Sequence, residues 1–149
     1  MADRTSSSIT INSGKSTVMT AIADFAAYPT WAEGVTSAEV LSTGADDRAD
    51  RVRFTLEAGP IKDSYVLAYA WDGDEVVTWD LAERGKMVTG MSGSYRLAGG
   101  TAADIAGVTD VTYELTVDVS IPMIGMLKRK AEKMIIDTAL KGLKRHVEG

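Results

Sequence analysis

Few residues in this sequence can do acid–base or nucleophilic chemistry. His146 is the one histidine, and there is no cysteine. A serine nucleophile needs a histidine beside it in a buried setting. His146 instead closes a long helical pattern, where a cation complements the helix dipole. One histidine and no cysteine also leave the usual zinc ligand sets unfilled. Asp46-Asp47 and Asp72-Gly73-Asp74 could hold a hard cation weakly, but aspartate and glycine also belong in tight turns for local reasons. Gly90, Gly93 and Gly99-Gly100 do not join a strand to a helix, so they form no phosphate loop. Close backbone approach and turns explain them. No metal and no cofactor is expected. What remains is five tyrosines, three tryptophans and seven methionines. A buried phenol or indole N–H needs a polar partner, and a ligand can supply one. Methionine lines surfaces that accept varied shapes. Together these types suit a pliable, part-polar pocket.

The elements that position them are read from periodicity. Ser7 to Asn12 alternates and predicts a first strand. Lys15 to Phe25 carries Val18, Met19, Ile22 and Phe25 at helical spacing, with Ser13 or Ser16 available as a cap. Pro29 disfavours helix at Tyr28, so a second short helix is expected over Pro29 to Glu33, ended by Gly34. Strand signals follow over Val35 to Ser42, Arg51 to Glu57, Lys62 to Trp71, Glu75 to Leu81, Met87 to Leu97 and Thr109 to Val119. Val52, Phe54 and Leu56 share one face, as do Val111, Tyr113, Leu115, Val117 and Val119. Lys62 to Trp71 is apolar on both faces. Asp72-Gly73-Asp74 predicts a tight hairpin turn. Consecutive strands with short turns make an antiparallel sheet.

Pro122 to Glu148 closes the chain as a helix of roughly 40 Å at 1.5 Å per residue. Ile124, Leu127, Ala131, Met134, Ile135 and Thr138 line one predicted face, with Lys130, Lys133, Asp137, Lys141 and Lys144 opposite. It is the one element long enough to cover the sheet's apolar face. Residues 122–149 carry seven basic and three acidic side chains, whereas the whole chain has a net charge of −5. That basic helix is either a solvated face on an acidic body or a surface that touches anionic membrane transiently during ligand exchange. The acidic balance argues against nucleic acid. At 149 residues one domain is expected, able to bury roughly 68–70% of its unfolded surface. The N-terminus lacks the apolar core of a signal peptide, and no run reaches the length of a membrane span, so the cytoplasm is the expected location.

Three stretches resemble the polyketide cyclase/dehydrase and lipid-transport superfamily, also called START-like, SRPBCC or helix-grip. Ala27-Tyr28-Pro29-Thr30-Trp31 leading to Ser37-Ala38-Glu39-Val40-Leu41 is similar to the family's entry to its second strand. Val111-Thr112-Tyr113-Glu114-Leu115 is similar to its last strand. Lys128 through Ala139-Leu140-Lys141-Gly142-Leu143-Lys144 resembles the C-terminal helix of single-domain actinobacterial members. The resemblance implies an α+β helix-grip fold over residues 1–149. It has a curved antiparallel sheet of about seven strands, two short helices after the first strand, and a long C-terminal helix over an apolar cavity. In aromatase/cyclase members a Tyr, a Ser and an Arg bind the polyketone. By resemblance those positions fall on Val35, Leu67 and Tyr69, and a neighbouring Trp falls on Tyr65. Valine and leucine offer no donor, and a phenol near pKa 10 is a weak acid at neutral pH.

The expected ligand contacts are therefore inward apolar and amphipathic side chains, with no catalytic residue assigned. From the strands they are Phe54, Tyr65, Leu67, Tyr69 and Trp79, then Met91, Tyr95, Tyr113, Leu115 and Val117. From the helix they are Met123, Leu127, Lys130 and Met134. Trp31 is expected to anchor packing beside Pro29. Three functions stay open. The first is non-catalytic binding or transport of a small hydrophobic molecule such as a lipid, isoprenoid or polyketide-like compound. The second is an aromatase/cyclase or dehydratase-like enzyme. The third is a protein-interaction module. Oligomeric state is not legible.

Overall fold

A computed structural model describes residues 5–32, 34–44, 48–58, 61–99, 108–120 and 125–148, with side chains for all but 58, 61, 99 and 125–128. The alternating stretches become strands β1 (Thr5–Ile11), β2 (Val35–Thr43), β3 (Ala49–Ala58), β4 (Ile61–Asp72), β5 (Val76–Glu83), β6 (Val88–Gly99) and β7 (Thr109–Val119). They form one curved antiparallel sheet in the order β1-β7-β6-β5-β4-β3-β2. Strands β2 to β7 follow one another as neighbours, and β1 pairs with the far side of β7. The turn after β4 has Gly73 at φ 55°, a left-handed conformation open to glycine at no steric cost. That matches the hairpin expected from Asp72-Gly73-Asp74. Only part of the two-sided apolar reading of β4 holds. Val66 is buried on the outer side, but Lys62, Ser64 and Ala70 are exposed.

Helix α1 (Lys15–Ala23) buries Val18, Met19 and Ile22. Its N-cap is Gly14, with no side-chain cap, so neither Ser13 nor Ser16 takes that role. A 3-10 turn over Phe25–Ala27 leads to α2 (Tyr28–Trp31), with Pro29 in its first turn. The Tyr28 hydroxyl donates to the Ile22 carbonyl at 2.5 Å, tying α2 to the end of α1.

Helix α3 (Gly125–Glu148) lies on β1 and β7 and touches α1 and α2. Its packed side differs from the expected one. Glu132, Ile136, Leu140 and Leu143 are buried, and Ala139 and Val147 are half-buried. Ala131 is exposed, as are Met134 (64%) and Ile135 (45%). The helix carries two apolar stripes. The one that packs runs on to Val147 and begins at a glutamate, which hydropathy scores as solvent-facing. Lys133–Asp137 (3.0 Å) and Lys144–Glu148 ion pairs, each one turn apart, decorate its exterior.

Glu132 shows why a carboxylate belongs in this seam. Its Oε1 accepts from Thr5 Oγ1 at 2.8 Å and its Oε2 from the Val117 N–H at 2.7 Å. Among the described residues the last β1–β7 pair is Thr5 opposite Leu115, and Val117 lies beyond it. The helix supplies the acceptor for this N–H. Glu132→Ala leaves a buried N–H and a hydroxyl without this partner, at a cost of about 2 kcal/mol. The melting temperature is expected to fall by about 4–8 °C. Glu132→Gln keeps an acceptor and should lose less than half of that in the same thermal melt.

Candidate functional site

Directly opposed residues in an antiparallel sheet point to the same face. Phe54 opposes Tyr65, Tyr69 opposes Trp79, Met91 opposes Val117 and Tyr95 opposes Tyr113. Val52 opposes Leu67, and Gly93 stands between Trp79 and Leu115. All ten strand residues expected to contact a ligand therefore lie on one face, the inner one. Phe54, Tyr65, Leu67, Trp79, Tyr95, Tyr113 and Leu115 are buried, and Tyr69, Met91 and Val117 are half-buried.

Burial is graded along this face. At the end where β1 runs into α1, Ile11, Val52, Val77, Leu97 and Val111 are buried. At the opposite end, where β7 leads towards α3, Val35, Leu56, Leu81, Met91 and Val117 are only half-buried, although Asp63 and Val88 there are buried. The packing is thus tight under the short helices and looser towards the start of α3.

The face is paved with rings. Both phenylalanines, all three tryptophans and all five tyrosines of the chain join one network of ring contacts. It runs from Trp31 and Tyr28 (4.8 Å between centroids) to Phe25 (4.9 Å), then to Tyr69 (5.0 Å) and Trp79 (5.8 Å). Trp79 meets Tyr95 and Tyr113, which lie 4.5 Å apart. Phe54 carries a branch to Tyr65, and Trp71 joins Phe25 and Tyr69. Such offset and edge contacts each add about 0.5–1.5 kcal/mol beyond area burial. Gly93 makes room for the central indole, since a Cβ there would stand 2.5 Å from Trp79.

Polar atoms are sparse within this lining. Trp71 Nε1 donates to the Ala49 carbonyl at 2.7 Å. The hydroxyls of Tyr65, Tyr69, Tyr95 and Tyr113 donate no hydrogen bond among the described residues, in contrast to that of Tyr28. Burial pushes the Tyr65 phenol up to about 12, with the Asp63 charge adding to it. Burial raises Tyr69, Tyr95 and Tyr113 well above the usual phenol range. These groups remain neutral donors across the working pH range.

Asp63, next to Tyr65 on the same face, is committed to the backbone. Its carboxylate accepts from the N–H groups of Lys86 (2.8 Å), Met87 (3.0 Å) and Val88 (2.8 Å), and from Ser64 (2.9 Å). Burial pushes its carboxyl up, but the hydrogen bonds from Val88, Lys86, Met87 and Ser64 together outweigh this and hold it below its ordinary value. Glu132 is likewise occupied. No group of three or more His, Cys, Asp or Glu among the described residues could hold a metal ion.

The helix candidates fare differently. Lys130 and Met134 are exposed and line a shallow cleft of about 410 Å³ on the outer side of α3 with Lys133, Asp137, Thr138 and Lys141. They are not brought to the sheet's inner face, because the Ile136–Leu143 stripe occupies the contact with β1 and β7. Met123 and the side chain of Leu127 lie outside the described residues. Sequence reasoning left out Phe25 and Trp71, although both sit in the ring network. Their signal was available: Trp71 shares the alternation phase of Tyr69, and Phe25 continues the Val18–Ile22 spacing. Trp31 does pack in this network, and it also stacks on His146 at 5.8 Å.

The sequence profile of the family described as polyketide cyclase / dehydrase and lipid transport matches residues 2–148. Among solved structures, a START superfamily protein from Mycobacterium smegmatis superposes with a TM-score of 0.88 at 19% identity, covering 99% of this chain and 98% of that one. A protein from Thermus thermophilus gives 0.78 at 20% identity, covering 97% of each. The Zhui aromatase/cyclase from a Streptomyces species gives 0.72 at 15% identity, covering 98% of this chain and 93% of that one. At these identities the likeness is one of fold. No curated protein matches the chain in sequence. No helix among the described residues is long and apolar enough to cross a membrane.

Proposed function

This chain belongs to the polyketide cyclase / dehydrase and lipid transport family, and from that premise we propose that it binds and carries a small hydrophobic molecule in the cytoplasm. The guest sits between the inner face of the sheet and the first half of α3. One observation carries the reading: a continuous aromatic lining on the inner face holds four tyrosines, Tyr65, Tyr69, Tyr95 and Tyr113, whose hydroxyls donate to nothing among the described residues. A guest's carbonyl or hydroxyl oxygen would accept from these hydroxyls, each such hydrogen bond contributing about 0.5–1.5 kcal/mol. The lining therefore fits a lipid, isoprenoid or polyketide-like compound that bears at least one oxygen acceptor. The loosely packed end, at Leu56, Leu81, Met91 and Val117, is the proposed way in. Exposed Met134 and Ile135 beside Lys130 and Lys133 suit a transient contact with an anionic bilayer while the guest exchanges.

Native mass spectrometry of protein purified from its own host should show an apolar ligand. That compound at a hundredfold excess over its Kd should stabilise the fold by about 2.7 kcal/mol. A Tyr95→Phe/Tyr113→Phe double variant loses no hydrogen bond that these hydroxyls donate among the described residues, so its melting temperature should stay within about 2 °C. Its affinity should fall about fivefold to tenfold, the worth of one or two neutral hydrogen bonds. Equal affinity in the double variant, or no thermal shift with any lipid or aromatic, defeats the reading.

The likeness to an aromatase/cyclase favours one second reading, turnover of a poly-β-ketone. Here Val35 is half-buried, Leu67 is buried and Tyr69 is half-buried on the inner face, so the phenols are the donors available to polarise a ketone. Such an activity should vanish in Tyr69→Phe. Identical product distributions with and without the protein would end it.

A further inference from the structure

A second concave surface lies outside the sheet, between the long helix and α2. A cleft of about 460 Å³ opens between α2 and α3. Its floor is Gly142, where a Cβ would collide with the Trp31 carbonyl oxygen. One wall is the Trp31 indole stacked on the His146 imidazole, 5.8 Å apart and 18° from parallel. The other wall is a single helix face, because Thr138, Lys141 and Arg145 follow at spacings of three and four.

No carboxylate lines this cleft. Among the described residues Asp137 bonds Lys133, and Glu148 bonds Lys144 and the Asn12 N–H. These carboxylates make their hydrogen bonds elsewhere; the Lys141 charge still acts on Asp137 one turn before it, but neither Lys141 nor Arg145 forms a close ion pair among the described residues. Like charges one turn apart repel. A cation in the last turn also complements the helix dipole, which accounts for Arg145. It does not account for both cations flanking a concave surface that no carboxylate lines, although Asp137 meets part of the Lys141 charge.

From this geometry we infer that the α2–α3 cleft binds a phosphate-bearing anion. Arg145 offers a planar fork suited to a tetrahedral oxyanion, Lys141 a point charge and Thr138 a hydroxyl donor. The flat Trp31–His146 wall favours a planar group attached to the phosphate. The same chemistry is presented by a soluble phosphomonoester and by a phospholipid headgroup. The inference is independent of the inner-face reading: a protein with nothing bound over its sheet would still bind here.

The test uses the full chain and two probes. Phenyl phosphate, with phenol as the phosphate-free control, is titrated while the NMR signals of the Trp31 indole N–H and the His146 ring are followed. Vesicles of phosphatidylglycerol, with phosphatidylcholine as the control, are tested by co-sedimentation. A saturable shift with phenyl phosphate but not phenol supports the site with a soluble anion as its ligand. Binding to phosphatidylglycerol alone supports it with a headgroup as its ligand. In either case Lys141→Gln/Arg145→Gln must weaken binding at least tenfold while lowering the melting temperature by no more than about 4 °C, the worth of one helix-dipole contact. Failure of both probes, or binding that this double variant retains, overturns the inference.

Discussion

Asp63→Ala is expected to lower the melting temperature by about 10 °C. Four backbone N–H groups converge on this one carboxylate, two of them from the turn that leads β5 into β6 and one from the first residue of β6. Hydrogen bonds to a charged group contribute about 1.5–3 kcal/mol each, but the donors nearest the surface regain water when the acceptor goes. A net loss of about 3–4 kcal/mol follows, worth roughly 2–4 °C per kcal/mol in a chain of this size. The effect has a pH signature. The folded carboxyl is held below its ordinary value, so its contribution is present above the unfolded value of about 3.9. It is lost as pH falls through the lower folded value. Urea midpoints of the parent and Asp63→Ala should therefore lie far apart at pH 7 and converge below about pH 4. A gap that stays constant with pH would show that the ionised form is not what holds the turn.

Gly93→Ala should cost about 2–3 kcal/mol, the range for forcing atoms into a packed interior. The added methyl would stand 2.5 Å and 2.7 Å from two atoms of the Trp79 ring and 2.7 Å from the Glu114 carbonyl oxygen. The strand backbone cannot yield, so the indole must. Trp79 touches Tyr69, Tyr95 and Tyr113, and its displacement moves the proposed ligand surface with it. Trp79→Phe supplies the control. The smaller ring clears part of the clash, so the double variant should be more stable than the sum of the two single losses predicts. Strict additivity in denaturant melts would place the strain elsewhere.

The sheet and its inward face were readable because alternation carries both facts at once. Thr109–Val119 and Arg51–Glu57 declare their strand state and their buried side by the same period. The helix was readable as a helix but not as an orientation. Met134, Ile135 and Ala131 make as good a stripe as Ile136, Leu140 and Leu143, and the choice is made by β1 and β7, which periodicity within the helix does not see. Two structural carboxylates escaped for a related reason. Asp63 and Glu132 are polar side chains recruited by unpaired backbone amides, and those amides exist only once the strands have met. The aromatic lining was partly legible: strand phase gave Tyr65, Tyr69, Trp79, Tyr95 and Tyr113. The link through Phe25 needed the first helix to fold over the sheet.

The gathering of every ring into one patch has an optical consequence. With neighbouring tyrosines and tryptophans stacked this closely, light absorbed by a phenol is handed to an indole before it can be emitted. The near-ultraviolet dichroism and intrinsic emission of the whole molecule thus originate from a single place. Whatever enters beside it will be announced in that spectrum without any label.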